Sequence, residues 1–129
     1  MIIKRVSLSW VGVGDINQSK EFFVNTLGLS VFEEQAEYGW LEVRGAQGGN
    51  VLGIGKADAA SGMPKGVNAV VTFVVDAYEQ AKEELSAKGI KLFGEVAGYP
   101  GVPRMICFKD PDGNTFQLVE ETKGETDKV

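Results

Sequence analysis

The chain has 129 residues, of which 43% are hydrophobic and 24% charged, a composition typical of one soluble globular domain that buries a core. Its net charge of −5 argues against a nucleic-acid partner, and no apolar run is long enough to span a membrane. The absence of histidine excludes histidine-dependent catalysis, while a single cysteine and an N-terminus unlike a signal peptide favour the cytoplasm.

The first half of the chain predicts a strand, a helix and three further strands. Residues 6–13 alternate as a strand does, and a helix is predicted over residues 15–27, between an N-cap at Asp15 and a stop at Gly28. The apolar face of this helix comprises Ile16, Phe22, Phe23 and Leu27. The strand-like segments after it are residues 29–32, 38–44 and 50–55, with a glycine-rich turn at 45–49.

The second half repeats the first at an offset of 61 residues, so that Asp76 and Gly89 take the places of Asp15 and Gly28. Asp76 is therefore the predicted N-cap of a second helix, whose apolar stripe is Tyr78, Ala81 and Leu85. The corresponding strands are predicted at residues 68–75, 90–93, 103–109 and 114–120. The repeats span residues 3–56 and 67–121, with a linker at 57–66.

The last hairpin resembles that of a known superfamily. Residues 108–120, Phe-Lys-Asp-Pro-Asp-Gly-Asn-Thr-Phe-Gln-Leu-Val-Glu, resemble the terminal hairpin of the glyoxalase, bleomycin-resistance and extradiol-dioxygenase proteins, the vicinal oxygen chelate superfamily. Residues 15–28 are similar to the opening helix of that superfamily and its Leu-Gly ending. The resemblance covers residues 3–121 and implies an α+β fold, in which two tandem βαβββ modules form a cup-shaped mixed sheet. We expect a single glyoxalase-like domain over residues 1–129.

The resemblance also implies where a metal would be held. Enzymes of the superfamily bind a divalent metal with four inward side chains, one each from the first and last strands of the two modules. Carried over to this sequence, those positions are Leu8, Gly53, Val70 and Gln117. A divalent metal needs anionic or strongly donating ligands, which this set does not supply. We therefore predict no metal and no other cofactor.

Strand alternation predicts which side chains would line the cup, and the set is rich in aromatic groups. The predicted ligand-binding residues are Trp10, Trp40, Glu42, Arg44, Thr72, Tyr99, Arg104 and Gln117. Several alternatives stay open. The tryptophans could fill a cavity or a dimer interface, Glu42 and Arg44 could be a solvated or cross-paired couple, and the loop at 98–103 could be an ordinary one. Cys107 is interpreted as an inert core thiol, and Asp110 and Asp112 as turn residues.

Three functional hypotheses follow. The first is a metal-free small-molecule-binding protein similar to the superfamily's antibiotic-binding, bleomycin-resistance-like members. Its ligand would be a hydrophobic or aromatic small molecule, which could be cationic. The second is a glyoxalase-family enzyme, a lyase (such as lactoylglutathione lyase), isomerase or dioxygenase, with a non-standard or metal-independent site and Glu42 as general base. The third is a regulatory paralogue. The resemblance implies a homodimer, and leaves open whether the cup forms within or across chains and which ligand it takes.

Overall fold

A computed structural model describes residues 1–2, 4, 8–57, 65–98, 100 and 103–121. The chain divides into two compact units, Met1–Gly66 and Val67–Val129. The first contains β1 (Leu8–Val13), α1 (Ile16–Lys20) with a π-helical continuation (Glu21–Thr26), β2 (Ser30–Gln35), a 3-10 turn (Ala36–Tyr38), β3 (Trp40–Gly45) and β4 (Gly48–Lys56). The second contains β5 (Val71–Val75), α2 (Tyr78–Ala87), β6 (Phe93–Val96), β7 (Met105–Lys109) and β8 (Thr115–Glu120).

Each unit contains one mixed four-stranded sheet. The strand order is β1-β4-β3-β2 in the first and β5-β8-β7-β6 in the second. In both, the first and last strands are parallel and the other pairs are antiparallel. The predicted α+β fold with two βαβββ modules is thereby confirmed, whereas the assignment of both modules to one domain stays a prediction.

The outer strands β2 and β6 are irregular. The register of β2 against β3 shifts between Val31 and Glu33, and that of β6 against β7 shifts between Phe93 and Val96. Every residue of both strands is exposed. Such bulges bend a strand and interrupt its row of hydrogen bonds.

The core of the first unit lies between its sheet and helix α1. Phe22 and Phe23 are both buried, and their rings meet edge to face with centroids 5.1 Å apart. The helix widens to a π turn at this point, in which the Leu27 N–H donates to the Phe22 carbonyl at 2.9 Å. The sheet residues of this core are Val11, Val13, Leu41, Val43, Leu52 and Ile54.

Asp15 begins helix α1 as predicted. Its carboxylate accepts hydrogen bonds from the backbone N–H groups of Asn17 (2.9 Å) and Gln18 (3.2 Å). The predicted cap of the second helix is wrong, because α2 begins at Tyr78 with Ala77 at the N-cap and no side-chain cap bond. Ala77 lies between Asp76 and the first turn of α2, so the Asp76 carboxylate is one residue too early to cap the helix.

This difference predicts unequal effects of one substitution. Asp15→Ala should lower the free energy of unfolding by about 1 kcal/mol, since it leaves two N–H groups at the start of α1 without their acceptor. Asp76→Ala is the matched control and should change stability by less than about 0.5 kcal/mol. Urea denaturation followed by circular dichroism measures both, and equal losses would contradict the capping assignment.

The core of the second unit is aromatic. Phe73, Phe108 and Phe116 stack on one another, with centroid distances between 5.5 and 6.4 Å. At the end of this sheet, Asp110 accepts from the N–H groups of Asp112 (3.0 Å) and Asn114 (2.8 Å). Asp110 therefore holds the turn as predicted, and burial raises the pKa of its carboxyl group.

Candidate functional site

The site is built on the side of the first sheet that points away from helix α1, which we call the far face. Strand pairing aligns Trp10 with Gly53 and Gly53 with Glu42 in one row across the sheet. The next row aligns Gly55 with Trp40. The core residues of these strands alternate with them and lie on the opposite side. Trp10, Trp40 and Glu42 are thus brought together as strand alternation predicted.

Two glycines of β4 form the floor of this site. A Cβ atom added at Gly53 would lie 2.5 Å from Cη2 and 2.7 Å from Cζ2 of Trp40, and 2.8 Å from Cβ of Trp10. One added at Gly55 would lie 2.9 Å from Cζ3 of Trp10 and 3.1 Å from Cε3 of Trp40. Real Cβ atoms essentially never approach other heavy atoms within 3.0 Å, so both indoles require the absence of a side chain beneath them.

The two indoles and Glu42 form a fixed corner, which we call the tryptophan corner (Trp10, Trp40 and Glu42). The ring centroids of the tryptophans are 5.6 Å apart and their planes meet at 64°, an edge-to-face contact. The Trp40 indole N–H donates to Oε2 of Glu42 at 2.7 Å. Glu42 is partly buried, and Trp10 keeps 38% of its surface exposed. The corner therefore combines accessible aromatic surface with an oriented carboxylate.

Arg44 lies on β3 two residues beyond Glu42 and is engaged elsewhere. Its guanidinium carbon lies 4.7 Å from the centroid of the Phe32 ring, a cation–π contact on the exposed side of β2. Among the described residues, no ion pair joins Arg44 to Glu42. Each of the two side chains therefore has a contact of its own, Arg44 with Phe32 and Glu42 with Trp40, so the alternative in which they pair with each other does not hold.

The second sheet carries Thr72 and Gln117, which are paired on adjacent strands. The Thr72 hydroxyl donates to Oε1 of Gln117 at 3.1 Å. Cys107 is the next residue in this row, and its sulfur lies 4.0 Å from Nε2 of Gln117. The interpretation of Cys107 as a core thiol is wrong: Ile106 and Phe108 enter the core, so alternation turns the partly exposed Cys107 to the other side.

Arg104 lies beside helix α2 rather than with Thr72 and Gln117. Its guanidinium donates to Glu79 (2.8 Å) and Glu120 (3.2 Å) and stacks 4.7 Å from the centroid of the Tyr78 ring. The Arg104 backbone N–H also donates to Oε2 of Glu120 at 2.7 Å, and this bond, together with the guanidinium, lowers the pKa of Glu120. The side-chain bond to Glu120 in turn raises the pKa of Arg104. Such contacts make Arg104 a link between α2 and the end of the sheet. Tyr99, another predicted ligand contact, lies outside the described residues.

Tyr78 is the buried centre of this network. Its hydroxyl donates to Oε2 of Glu95 at 2.8 Å, and Lys82 donates to the same oxygen. Burial raises the pKa of Tyr78, and the hydrogen bond to Glu95 raises it further. The bonds from Lys82 and Tyr78 lower the pKa of Glu95. The phenol stays protonated and the carboxylate ionised near neutral pH, as a structural network requires.

The four positions that the resemblance assigns to a metal do not fit one. Leu8 is aliphatic, Val70 lies before β5 begins, and Gln117 offers one neutral carbonyl that already accepts from Thr72. At Gly53 the space for a ligand side chain is filled by the Trp40 ring and Trp10 Cβ. In the described part of the chain, no three His, Cys, Asp or Glu side chains are grouped as metal ligands would be.

Comparison with a family model assigns the chain to a known superfamily. The model for the Glyoxalase/Bleomycin resistance protein/Dioxygenase superfamily matches residues 3–118. The chain belongs to this superfamily. Among curated proteins, no match to the chain is found. No helix within the described residues is both long and apolar enough to cross a membrane.

Solved structures of the superfamily share the fold. TnmS3, an antibiotic binding protein from Streptomyces sp. CB03234, is 26% identical with a TM-score of 0.77, covering 95% of this chain and 99% of its own. A glyoxalase/bleomycin resistance protein from the same strain is 25% identical with a TM-score of 0.73, covering 87% and 96%. The fosfomycin resistance protein FosX from Listeria monocytogenes, at 20% identity and a TM-score of 0.71 over 94% and 96%, shows the fold alone.

Sequence reasoning missed two features of the tryptophan corner. Gly53 was interpreted only as a lost metal ligand, although Gly53 and Gly55 alternate with Leu52 and Ile54, a signal that one face of the strand is bare. Glu33, which pairs with Glu42 on the neighbouring strand, lies beyond the predicted end of β2 at residue 32. Glu34 and Gln35 follow it, so polar residues stand on both faces of the strand and the usual alternation of apolar and polar residues is not visible in the sequence.

Proposed function

We propose that this superfamily member is a metal-free small-molecule-binding protein, whose tryptophan corner takes a hydrophobic or aromatic ligand. The observation that carries the proposal is the seating of both indoles on Gly53 and Gly55. The space above Gly53, the position that the resemblance assigns to a metal ligand, is filled by aromatic side chains, which supports the proposal. Binding through stacked and edge contacts needs such surface and no metal.

The relatives support the same class of function. TnmS3 is an antibiotic binding protein, and it covers nearly all of this chain at 26% identity. A chain that keeps that fold but fills a ligand position with indole is suited to retaining a compound rather than transforming it. Thr72, Gln117, Arg44, Arg104 and Tyr99 remain predicted ligand contacts, and the homodimer and the cytoplasmic location remain predictions.

The intrinsic fluorescence tests this proposal directly. The chain has only two tryptophans, so all indole emission comes from the tryptophan corner. A neutral tricyclic probe, 9-anthracenemethanol, should quench this emission in a saturable manner, with a matching dissociation constant by calorimetry. Trp10→Leu and Trp40→Leu should each weaken binding about tenfold or more, because each removes a large aromatic contact.

Tyr38→Leu is the control for aromatic content on the same unit. Tyr38 is 76% exposed in the turn before β3 and has no place in the corner, so its replacement should leave the affinity within about twofold. Equal losses in all three variants, or no saturable binding by any aromatic probe, would contradict the proposal. Circular dichroism of each variant establishes that it is folded.

Metal analysis separates the binder from a metal-dependent enzyme. Protein purified without chelator should contain far less than one Ni, Zn, Mn or Fe per chain. A stoichiometric, tightly held metal would overturn the assignment of Leu8, Gly53, Val70 and Gln117. If a metal-free turnover is found, Glu42→Gln identifies whether the carboxylate acts as its general base, since the amide cannot accept the proton.

A further inference from the structure

We propose that the tryptophan corner selects a cationic ligand, an aromatic ring system bearing a protonated amine, and that Glu33 and Glu42 together receive the charge. This inference rests on the proposed function and adds to it the charge of the ligand and a residue, Glu33, that determines specificity. The geometry that carries it is a continuous row of side chains across the first sheet.

The row begins on the outer strand. Glu33 of β2 is paired with Glu42 of β3, and Glu42 is paired with Gly53, which is paired with Trp10. Directly paired residues project from the same face with Cβ atoms about 4.5–5.5 Å apart. Gln35 follows two residues after Glu33 and donates to its carboxylate at 3.2 Å. Both carboxylates therefore project from the far face beside the indoles.

Within the described part of the chain, no Lys or Arg side chain is paired with the carboxylate of Glu33 or of Glu42. Glu34, the next residue of β2, projects to the helix side and is paired with Lys20 at 2.9 Å. Like charges placed opposite each other on adjacent strands are destabilising, so a bound cation would relieve a repulsion that the fold leaves in place.

The aromatic groups favour the same ligand. The Trp40 N–H occupies Oε2 of Glu42, which holds that carboxylate beside the indole and leaves Oε1 to accept from a ligand. A cation within about 6 Å of an indole face is attracted by the ring electrons. An ammonium group attached to a ring that packs against Trp10 and Trp40 would thus reach Glu42 first, and Glu33 follows Glu42 in the same row.

The positive charge of Arg44 works against the proposed preference for a cationic ligand. Arg44 lies on the same face two residues from Glu42, but its guanidinium is held over Phe32 on the outer strand. Its positive charge opposes a cation at long range without blocking the carboxylates. Arg44→Gln should therefore strengthen the binding of a cationic probe by a few fold, an effect opposite in sign to that of the glutamate variants.

Three probes of the same shape test the inference. They are 9-(aminomethyl)anthracene, which is cationic at neutral pH, the neutral 9-anthracenemethanol and the anionic 9-anthracenecarboxylate. Calorimetry at low ionic strength should rank their affinities as cation above neutral above anion. We expect the cation to bind about tenfold more tightly than the neutral probe, since two exposed charge contacts each contribute a few fold. Added salt should reduce this difference.

Charge-removing variants locate the preference. Glu33→Gln should weaken the cation about two- to fivefold, while the affinity of the neutral probe stays unchanged. Glu42→Gln also alters the partner of the Trp40 N–H, so it should weaken both probes, and the cation by about two- to fivefold more than the neutral probe. Glu34→Gln is the matched control because it removes the same charge from the same strand on the other face. It should leave both affinities within about twofold, since its carboxylate is turned toward Lys20.

The outcomes distinguish this inference from the function on which it rests. Equal affinities for the cation and the neutral probe would overturn the charge preference and leave the aromatic binding site standing. An effect of Glu34→Gln as large as that of Glu33→Gln would also overturn it, because net charge rather than the row would then account for binding. Failure of all three probes would overturn the proposed function, and this inference with it.

Discussion

Gly53→Ala is expected to lower the free energy of unfolding by about 2–3 kcal/mol, which corresponds to a fall in Tm of roughly 6–15 °C. The added methyl group would meet the Trp40 ring tip at 2.5 Å and Trp10 Cβ at 2.8 Å. An indole ring can swing aside only by losing its own contacts, and a Cβ atom moves only with its strand. Thermal unfolding followed by far-ultraviolet circular dichroism measures the effect.

Two further variants establish its cause. Gly45→Ala is the control on the same sheet, because a Cβ there would meet only the Gly48 carbonyl oxygen at 3.5 Å, an ordinary contact. It should change stability by less than about 0.5 kcal/mol. Combining Gly53→Ala with Trp40→Leu should cost less than the sum of the single changes, since the smaller side chain removes the closest clash. Additive losses would mean that Trp40 does not occupy the space above Gly53.

Phe116→Ala is expected to have the largest effect in the second unit, about 3–5 kcal/mol of unfolding free energy. Phe116 is fully buried and stacks on Phe73 at 5.5 Å and Phe108 at 5.8 Å. Truncation would open a cavity between rings that belong to three strands. Denaturant unfolding gives the free energy, and the near-ultraviolet aromatic signal should weaken in parallel.

The control for Phe116 is a phenylalanine of the same sheet that faces solvent. Phe93 on the outer strand is 38% exposed and has Lys109 5.9 Å above its ring, a weak contact. Phe93→Ala should therefore cost less than about 1 kcal/mol. Phe116→Leu should cost less than Phe116→Ala because it restores most of the lost volume. A loss at Phe93 equal to that at Phe116 would contradict the assignment of the core.

Much of the fold could be predicted from local chemistry. Asp15 and Gly28 bound the first helix because an N-cap needs a short acceptor side chain and a left-handed C-terminus needs glycine, whose φ here is 80°. The repeat then carried the same topology to the second half. It also carried an error, since Asp76 occupies the place of Asp15 in the sequence but not in the helix that follows it.

The site was less predictable, because it depends on pairing between strands distant in the sequence. Alternation along β3 places Trp40 and Glu42 on one face, but only the register of β4 shows that Gly53 and Gly55 lie beneath the indoles. The position of Glu33 on the far face could not be predicted for a related reason. The bulge at Phe32 changes which side of β2 each later residue occupies, and a two-residue period does not reveal such a shift.

The irregular outer strands have a consequence for the behaviour of this protein at high concentration. A long, regular edge strand offers its free N–H and C=O groups to a strand of another molecule, which is a common start of aggregation. In β2 and β6 the bulges break that row, and Glu33 and Glu34 add charge to the first of them. Half-exposed Phe32 and Phe93 can therefore remain on these strands without the regular edge along which fibrils would grow.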